Sequence, residues 1–472
     1  MLSLREYTRL MASNRSRLPE PANWPFFYGW MILFAGGLGT LMTAPGQTIG
    51  VSVFNDFLID VLGISRVALS TAYMIGTTTS GLLLARAGRV LDRRGARVVG
   101  SAAAIGLGLS VLGMTQVDRA SQGIALLTGG AVWPAFAAVT FGFFLLRFFG
   151  QGMLMLSSRN MILKWFDRRR GLVTALLGLS VTLGFSYSPR IFEALIQASS
   201  WRAAWTMIGL AVLAFAMFAA VFYRDNPRSV GLKPDGNVHV KADAPRTRFL
   251  PRWARNLRPI GASTGEDHSL EEARRTLIYW VLILVLTSSS AIGTAFTFHV
   301  VSVFETGGMS RTAAVSVFLP ASVVSIAVKF VTSWASDYVP IRVFPVLQGL
   351  AIVFFLLTIA LVGVPGSMLL LILGHGLMQG FLTVNANLAW PRLFGLAHLG
   401  AISGASMKWS VLGSAVGPYI YSVFFNLTGN YRLISLLLMI PCAVLTILAV
   451  KDHMKHRSDH RIDDQNAAAD RP

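Results

Sequence analysis

The stretch MILFAGGLGTLMTAPGQTIGVSVF (31–54) decides the fold on two counts. It runs for 24 positions without a charged residue, and about 20 apolar residues suffice for a helix to cross a hydrocarbon core of about 30 Å. Its last four residues, VSVF (51–54), return at 301–304, so the chain also repeats itself.

Runs of the same kind recur outward from this one, down to LISLLLMIPCAVLTILAV (433–450) near the other end. The composition agrees: 54% of the 472 residues are hydrophobic, only 13% are charged, and mean hydropathy is +0.58. A soluble chain of this length needs a far more charged surface. Inside lipid every backbone group must be satisfied internally, which leaves helices or closed barrels, and these runs are too continuous for barrel strands. The reading is an all-α membrane protein with twelve transmembrane helices in two six-helix halves. The spans fall near 28–54, 67–87, 98–117, 138–163, 171–194 and 203–223, then 276–304, 312–334, 343–363, 367–391, 400–423 and 431–450. Residues 1–223 form the N-terminal half with its tail. Residues 224–275 form a polar linker, and 276–472 the C-terminal half with its tail. In the linker, SLEEARR (269–275) predicts a short surface helix with a capping box of Ser269 and Glu272.

The net charge of +19 comes from cations gathered in the loops after even-numbered spans, in the linker and in the tails. Lysine and arginine accumulate on the cytoplasmic side of membrane spans. Both termini are therefore expected in the cytoplasm, with the chain multi-pass in a bacterial inner (plasma) membrane and no nucleic acid as partner. LDRRGAR and KWFDRRRG must share that side, so an even number of crossings separates them. The apolar segment 118–137 is accordingly expected as an outer insert or as extensions of spans three and four. The single cysteine, Cys442, rules out an internal disulfide, and the N-terminal segment lacks the pattern of a cleaved signal peptide.

The repeat extends past VSVF. Ser65-Arg66 and Ser310-Arg311 open the following spans at an offset of 245, and the same offset relates Asp92 to Asp337 and Arg97 to Arg342. LGFSYSP (183–189) matches LGSAVGP (412–418), aligning Pro189 with Pro418. Parallel repeats of this kind describe transporters that bind ligand between their halves near the midplane. The loop GRVLDRRGAR (88–97) resembles the signature of the major facilitator superfamily, carried by Gly88, Asp92, Arg93, Gly95 and Arg97. Gly88 is expected to permit close helix approach, and Asp92 to latch the inner ends of the helices. SWASDYVPIR (333–342) is its degraded echo, retaining Asp337 and Arg342. Arg147 in RFFGQG resembles the family's fourth-span arginine. YGW (28–30), WFDRRRG (165–171) and RDNPRSVGLKPDG (224–236) resemble the monocarboxylate and oxalate/formate antiporter branch.

Ionisable residues inside spans are rare and face a cavity or a partner. Lys329 in span eight and Lys408 in span eleven lie about 12 Å from one boundary by helical rise, and no aspartate or glutamate lies in a span interior. Their counter-charge is therefore expected to arrive as ligand. The branch resemblance implies one cation on each of these helices; lysine at 329, where the branch carries arginine, keeps charge but loses bidentate geometry. Further candidates for the substrate site are Arg147, Gln47, His299, His375 and Asn385, each with a structural alternative: spacing of spans one, four and five for Arg147, satisfied interior groups for the histidines, interhelical hydrogen bonds for Asn385. Pro45 and Gly46 are expected to break span one. No nucleotide loop, metal-ligand set or catalytic triad is present, so the chain reads as no enzyme and needs no cofactor. The expected function is secondary transport of a small carboxylate, by exchange against a counter-anion or with protons, by a monomer in the bilayer. The alternative is a drug or organic-cation exporter of the same superfamily, which needs a membrane carboxylate that these spans lack.

Overall fold

The computed structural model describes residues 21, 24–128, 132–166, 170–235, 267–336, 338–395 and 398–469, and among these only helices and their connections occur. Span one is broken, as Pro45 requires. Helix α1 (Gly29–Leu41) gives way to a 3-10 turn over Ala44–Gly46, and Gln47 is extended (φ −90°, ψ 154°). Short helix α2 (Thr48–Val51) and α3 (Asn55–Leu62) follow, so the run ends eight residues beyond the expected 54. Helix α4 (Arg66–Met114) carries spans two and three together, interrupted only at Gly95 (φ 79°, ψ 164°), a conformation that favours glycine.

The segment 118–137 is both an insert and an extension. Val117–Thr128 forms a separate helix, α5, tied by Asp118 to Arg202 at 2.5 Å. Helix α6 (Val132–Leu146) begins six residues ahead of the expected span four. A π-helical stretch, Arg147–Leu154, joins it to α7 (Met155–Trp165). Then come α8 (Arg170–Ala198) and α9 (Trp201–Phe222). Past the linker lie α10 (Leu270–Arg274), α11 (Leu277–Thr306), α12 (Arg311–Ser316) and α13 (Phe318–Ala335). Helices α14 (Val343–Ala360), α15 (Ser367–Asn387) and α16 (Ala389–Phe394) lead to α17 (Leu399–Thr428) and α18 (Arg432–Ala469).

Nine helical stretches among the described residues are long and apolar enough to cross a membrane, so the chain is an all-α, multi-pass membrane protein. Large apolar side chains such as Leu82, Met217 and Phe330 point outward and are exposed, which suits lipid rather than water. Inside, one buried cluster draws on residues 28–223, with Phe298 and Val315 added from the second half of the chain. A second gathers residues 281–449. A third, around Ile278, Tyr279, Trp390 and Phe394, takes in Ala273 of the linker helix α10. The capping box of that helix is formed: Ser269 N–H donates to Glu272 Oε2 at 2.7 Å, and Glu272 N–H donates to Ser269 Oγ at 3.2 Å. These bonds hold the Glu272 carboxyl below the usual carboxylate range.

Candidate functional site

The end carrying Tyr28, Asp225 and Asp452 is here the terminal end; the end carrying Asp56 and Arg311 is the far end. At the far end the two halves of the chain are bonded to each other. Arg311 Nε donates to Glu193 at 2.8 Å, its Nη1 reaches Asp56 at 3.3 Å, and its Nη2 donates to the Val53 carbonyl. Arg66 meets the same Asp56 at 2.8 Å. Asn55 donates to the Phe298 carbonyl at 2.6 Å, and Gln197 to Thr312 at 3.1 Å. Glu193 is almost wholly buried, with side-chain exposure of 5%.

At the terminal end, the ion pairs and loop anchors of the described residues stay within one half. Arg97 N–H donates to Asp225 Oδ1 at 2.9 Å and its Nε to the Ala220 carbonyl at 2.7 Å. Arg342 pairs with Asp452. The glycine that matters in the signature loop is Gly95, where a Cβ would lie 2.3 Å from the Asp225 carboxylate. A Cβ at Gly88 would meet nothing among the described residues within 4 Å. Asp337 and the side chain of Asp92 lie outside the described residues; Arg93 is exposed.

Between these ends lies a cavity of about 410 Å³, walled by α2 and α8 from one half and α11, α13 and α15 from the other. Ten of its twenty lining residues carry hydroxyls, among them Thr48, Ser186, Ser290, Thr294, Ser322 and Ser325, so half of the wall is polar through neutral groups. Lys329 is the one ionisable cation among the lining residues, and no aspartate or glutamate is with it. Helical side chains lean toward the helix N-terminus, which for α13 is the far end. The Lys329 stem therefore leans into the cavity.

The remaining candidates separate into two groups. Gln47 and His375 line the cavity. Gln47 Nε2 donates to Thr43 Oγ1 at 3.0 Å. His299 and Asn385 do not line it. His299 Nε2 is bonded to the Pro418 carbonyl at 2.9 Å, and Asn385 Nδ2 donates to the Phe344 and Phe381 carbonyls at 3.1 and 3.3 Å. Both hold helices together. Pro189 lies within α8 and Pro418 within α17. Arg147 is buried in the π-helical stretch; its Nη1 donates to the Gly46 carbonyl at 3.3 Å and to Thr48 Oγ1 at 3.4 Å, with the guanidinium 5.3 Å from the Tyr73 ring. It caps a carbonyl freed by the break in span one, as a broken helix in lipid requires, and one of its partners, Thr48, is on the cavity wall.

Lys408 is placed apart from Lys329. It is exposed but absent from the wall of this cavity. On α17, Ser410 and Ser414 face α11, accepting from Ser290 and Thr294 at 2.7 and 3.0 Å. At about 100° per residue Lys408 points away from that face, toward the side where a Cβ at Gly81 of α4 would lie 3.6 Å from Val411. The two lysines share a depth along their helices but not a wall. What sequence reading missed is the hydroxyl lining and the far-end cluster. Arg66 and Arg311, marked by the repeat, were the available signal for the latter.

Residues 37–418 match the profile of the Major Facilitator Superfamily. Among solved structures, a crystal structure of the nucleoside transporter NupG aligns with TM-score 0.59 at 11% identity, over 89% of this chain and 99% of that one. A bacterial homolog of the human lysosomal transporter Spinster, in an inward-facing and occupied conformation, aligns with TM-score 0.62 at 14% identity, over 92% and 99%. No curated protein matches at the sequence level.

Proposed function

The chain belongs to the Major Facilitator Superfamily and is a membrane transporter of small molecules, and from that premise we propose that its substrate is a small organic anion, a mono- or dicarboxylate. The observation that carries this is Lys329, a half-buried cation on the wall of a cavity between the halves, with no acid beside it among the described residues. An ammonium in such a place needs a counter-charge, and a carboxylate supplies it, with serine and threonine hydroxyls as further donors. A cation exporter needs the opposite sign on this wall.

In this reading the chain is a monomer of twelve spans in two six-helix halves, residues 1–223 and 276–472, joined by the linker 224–275. Both termini are cytoplasmic, and the sequence places it near the oxalate/formate antiporter branch. The far-end bonds between halves, together with the likeness to an inward-facing transporter, support a state closed outward and open inward. Alternating access breaks the far-end bonds and forms new ones at the terminal end. With no carboxylate among the described residues of the cavity wall to carry a proton, exchange of one anion for another fits better than symport. Lys408, beside the α4–α17 contact, lies where an anion passes on its way in.

Reconstitution in anion-loaded liposomes tests the reading. Labelled carboxylate is taken up against internal anion, and Lys329→Ala lowers uptake about 10- to 100-fold, the loss of one charge-assisted hydrogen bond. Normal carboxylate uptake by Lys329→Ala, or uptake of organic cations instead, overturns it.

A further inference from the structure

One wall of the cavity is built from α13 and α15, which run parallel and very close. A Cβ at Gly376 would lie 2.6 Å from Val324 Cβ, and one at Gly380 would lie 2.4 Å from Val328 Cγ1. This register sets His375 level with Val323, six residues or about 9 Å deeper along the axis than Lys329. The wall therefore offers polar groups at two depths.

At the deeper one, His375 is 8% exposed. Its ring is surrounded by Phe355, Phe296 and Phe318, with centroids 5.3, 5.7 and 6.1 Å away. Its Nε2 is enclosed without a partner, and Nδ1 bonds to no described residue either. Most buried polar groups are hydrogen-bonded, and an imidazole left unpaired on a cavity wall has a partner waiting to come from the cavity. Arg147, a buried cation with one partner on the cavity wall, is already committed to Gly46 and Thr48.

We propose that the substrate is a monocarboxylate that spans both depths. Its carboxylate meets Lys329, while a hydroxyl or carbonyl, carried on a ring or short chain, meets His375 among the phenylalanines. This rests on the anion reading above and narrows it. A second carboxylate at the deep level would be desolvated among aromatic rings without a cation. Oxalate and formate cover less of an axial separation of about 9 Å than an acid that carries its second polar group on a ring or short chain. A hydroxyl serves either imidazole tautomer, since it both donates and accepts, and an aromatic ring suits the phenylalanine faces.

Equilibrium binding of labelled 4-hydroxybenzoate, benzoate, terephthalate and oxalate to the full-length protein in nanodiscs tests this, with His375→Phe, His375→Gln and Lys329→Ala alongside. The expected result is that 4-hydroxybenzoate binds about 3- to 10-fold more tightly than benzoate, one neutral hydrogen bond, and that terephthalate and oxalate bind more weakly than either. His375→Phe erases the difference between the two aromatic acids while keeping benzoate, and His375→Gln restores part of it. Oxalate or terephthalate binding as tightly as 4-hydroxybenzoate overturns the proposal. So does His375→Phe weakening both aromatic acids alike, and the wild-type series decides the matter if that variant does not fold. Carboxylates that require Lys329 but ignore His375 overturn this proposal alone; binding of all four acids undiminished in Lys329→Ala, or no binding at all, takes the anion reading with it.

Discussion

The far and terminal ends of the molecule are both rich in charge, yet they use it differently. At the far end Arg311, Glu193 and Asp56 bond one half of the chain to the other. At the terminal end Arg97 with Asp225 and Arg342 with Asp452 each stay within one half. In the alternating access proposed above, bonds within a half survive, whereas bonds between halves have to break. The comparison identifies the far end as the part that resists movement and the terminal end as the part that shapes each half.

The largest effect follows from locking the resisting end. The only cysteine, Cys442, is buried, so introduced thiols are addressed selectively. Gln197→Cys with Thr312→Cys, joined by a short bifunctional thiol reagent, is expected to abolish uptake completely. Arg342→Cys with Asp452→Cys, joined in the same way, leaves most of it. Uptake through a far end shown by mass spectrometry to be cross-linked would break the comparison.

Next is Arg311→Ala, which leaves the buried Glu193 carboxylate with Gln197, at 3.1 Å, as its one donor among the described residues. Removing one partner of a buried ion pair costs about 3–5 kcal/mol, so the far-end-closed form loses about 100-fold or more in population relative to the open one. A cysteine placed at Thr48 on the cavity wall should then react faster with a reagent applied from the far side. An unchanged rate would mean that the cluster does not hold the halves together.

Much of the fold was legible because its signals are local. Apolar runs, the break at Pro45 and the serine caps at Ser65 and Ser310, which accept from Ala68 and Ala313 at 3.1 and 3.2 Å, need no knowledge of neighbours. The length of the run ending at Leu62 depended on helix ends whose residues are compatible with either state. The site was less legible. Lys329 stood out because a charge in an apolar run is costly wherever the helix points. Lys408 stood out for the same reason, but composition carries no azimuth, and its direction emerges only once Ser410 and Ser414 are seen bonded to α11. Hydroxyls on the wall were invisible, since serine and threonine satisfy themselves on their own helix as readily as they line a cavity. Repeat arithmetic marked Arg66 and Arg311, but both converge on Asp56, whose counterpart by the VSVF offset is Thr306. The far-end cluster lies where the repeat fails.

The smallest expected effect lies at the terminal end, in the cap of α10. Glu272 is held below its ordinary range by its bonds to Ser269, so its stabilising contribution is present above the unfolded carboxyl pKa of about 4.3 and is lost as pH falls through the depressed folded value. Amide exchange across Leu270–Arg274, corrected for intrinsic rates, should be faster at acid than at neutral pH. In Glu272→Ala that dependence should vanish without change in carboxylate binding. An effect on binding would link this cap to the cavity and blur the distinction between the ends.

Gly376 and Gly380 press α15 onto α13 so tightly that not even a methyl group fits between them. Lys329 and His375 are thereby mounted on a single stiff plate, and the spacing between them is inherited from backbone contact rather than from side-chain choice. A descendant seeking a longer or shorter cargo cannot retune that ruler one substitution at a time; it must either shrink both valines together with the glycine change, or shift selectivity to side chains on the opposite wall, on α2 and α8.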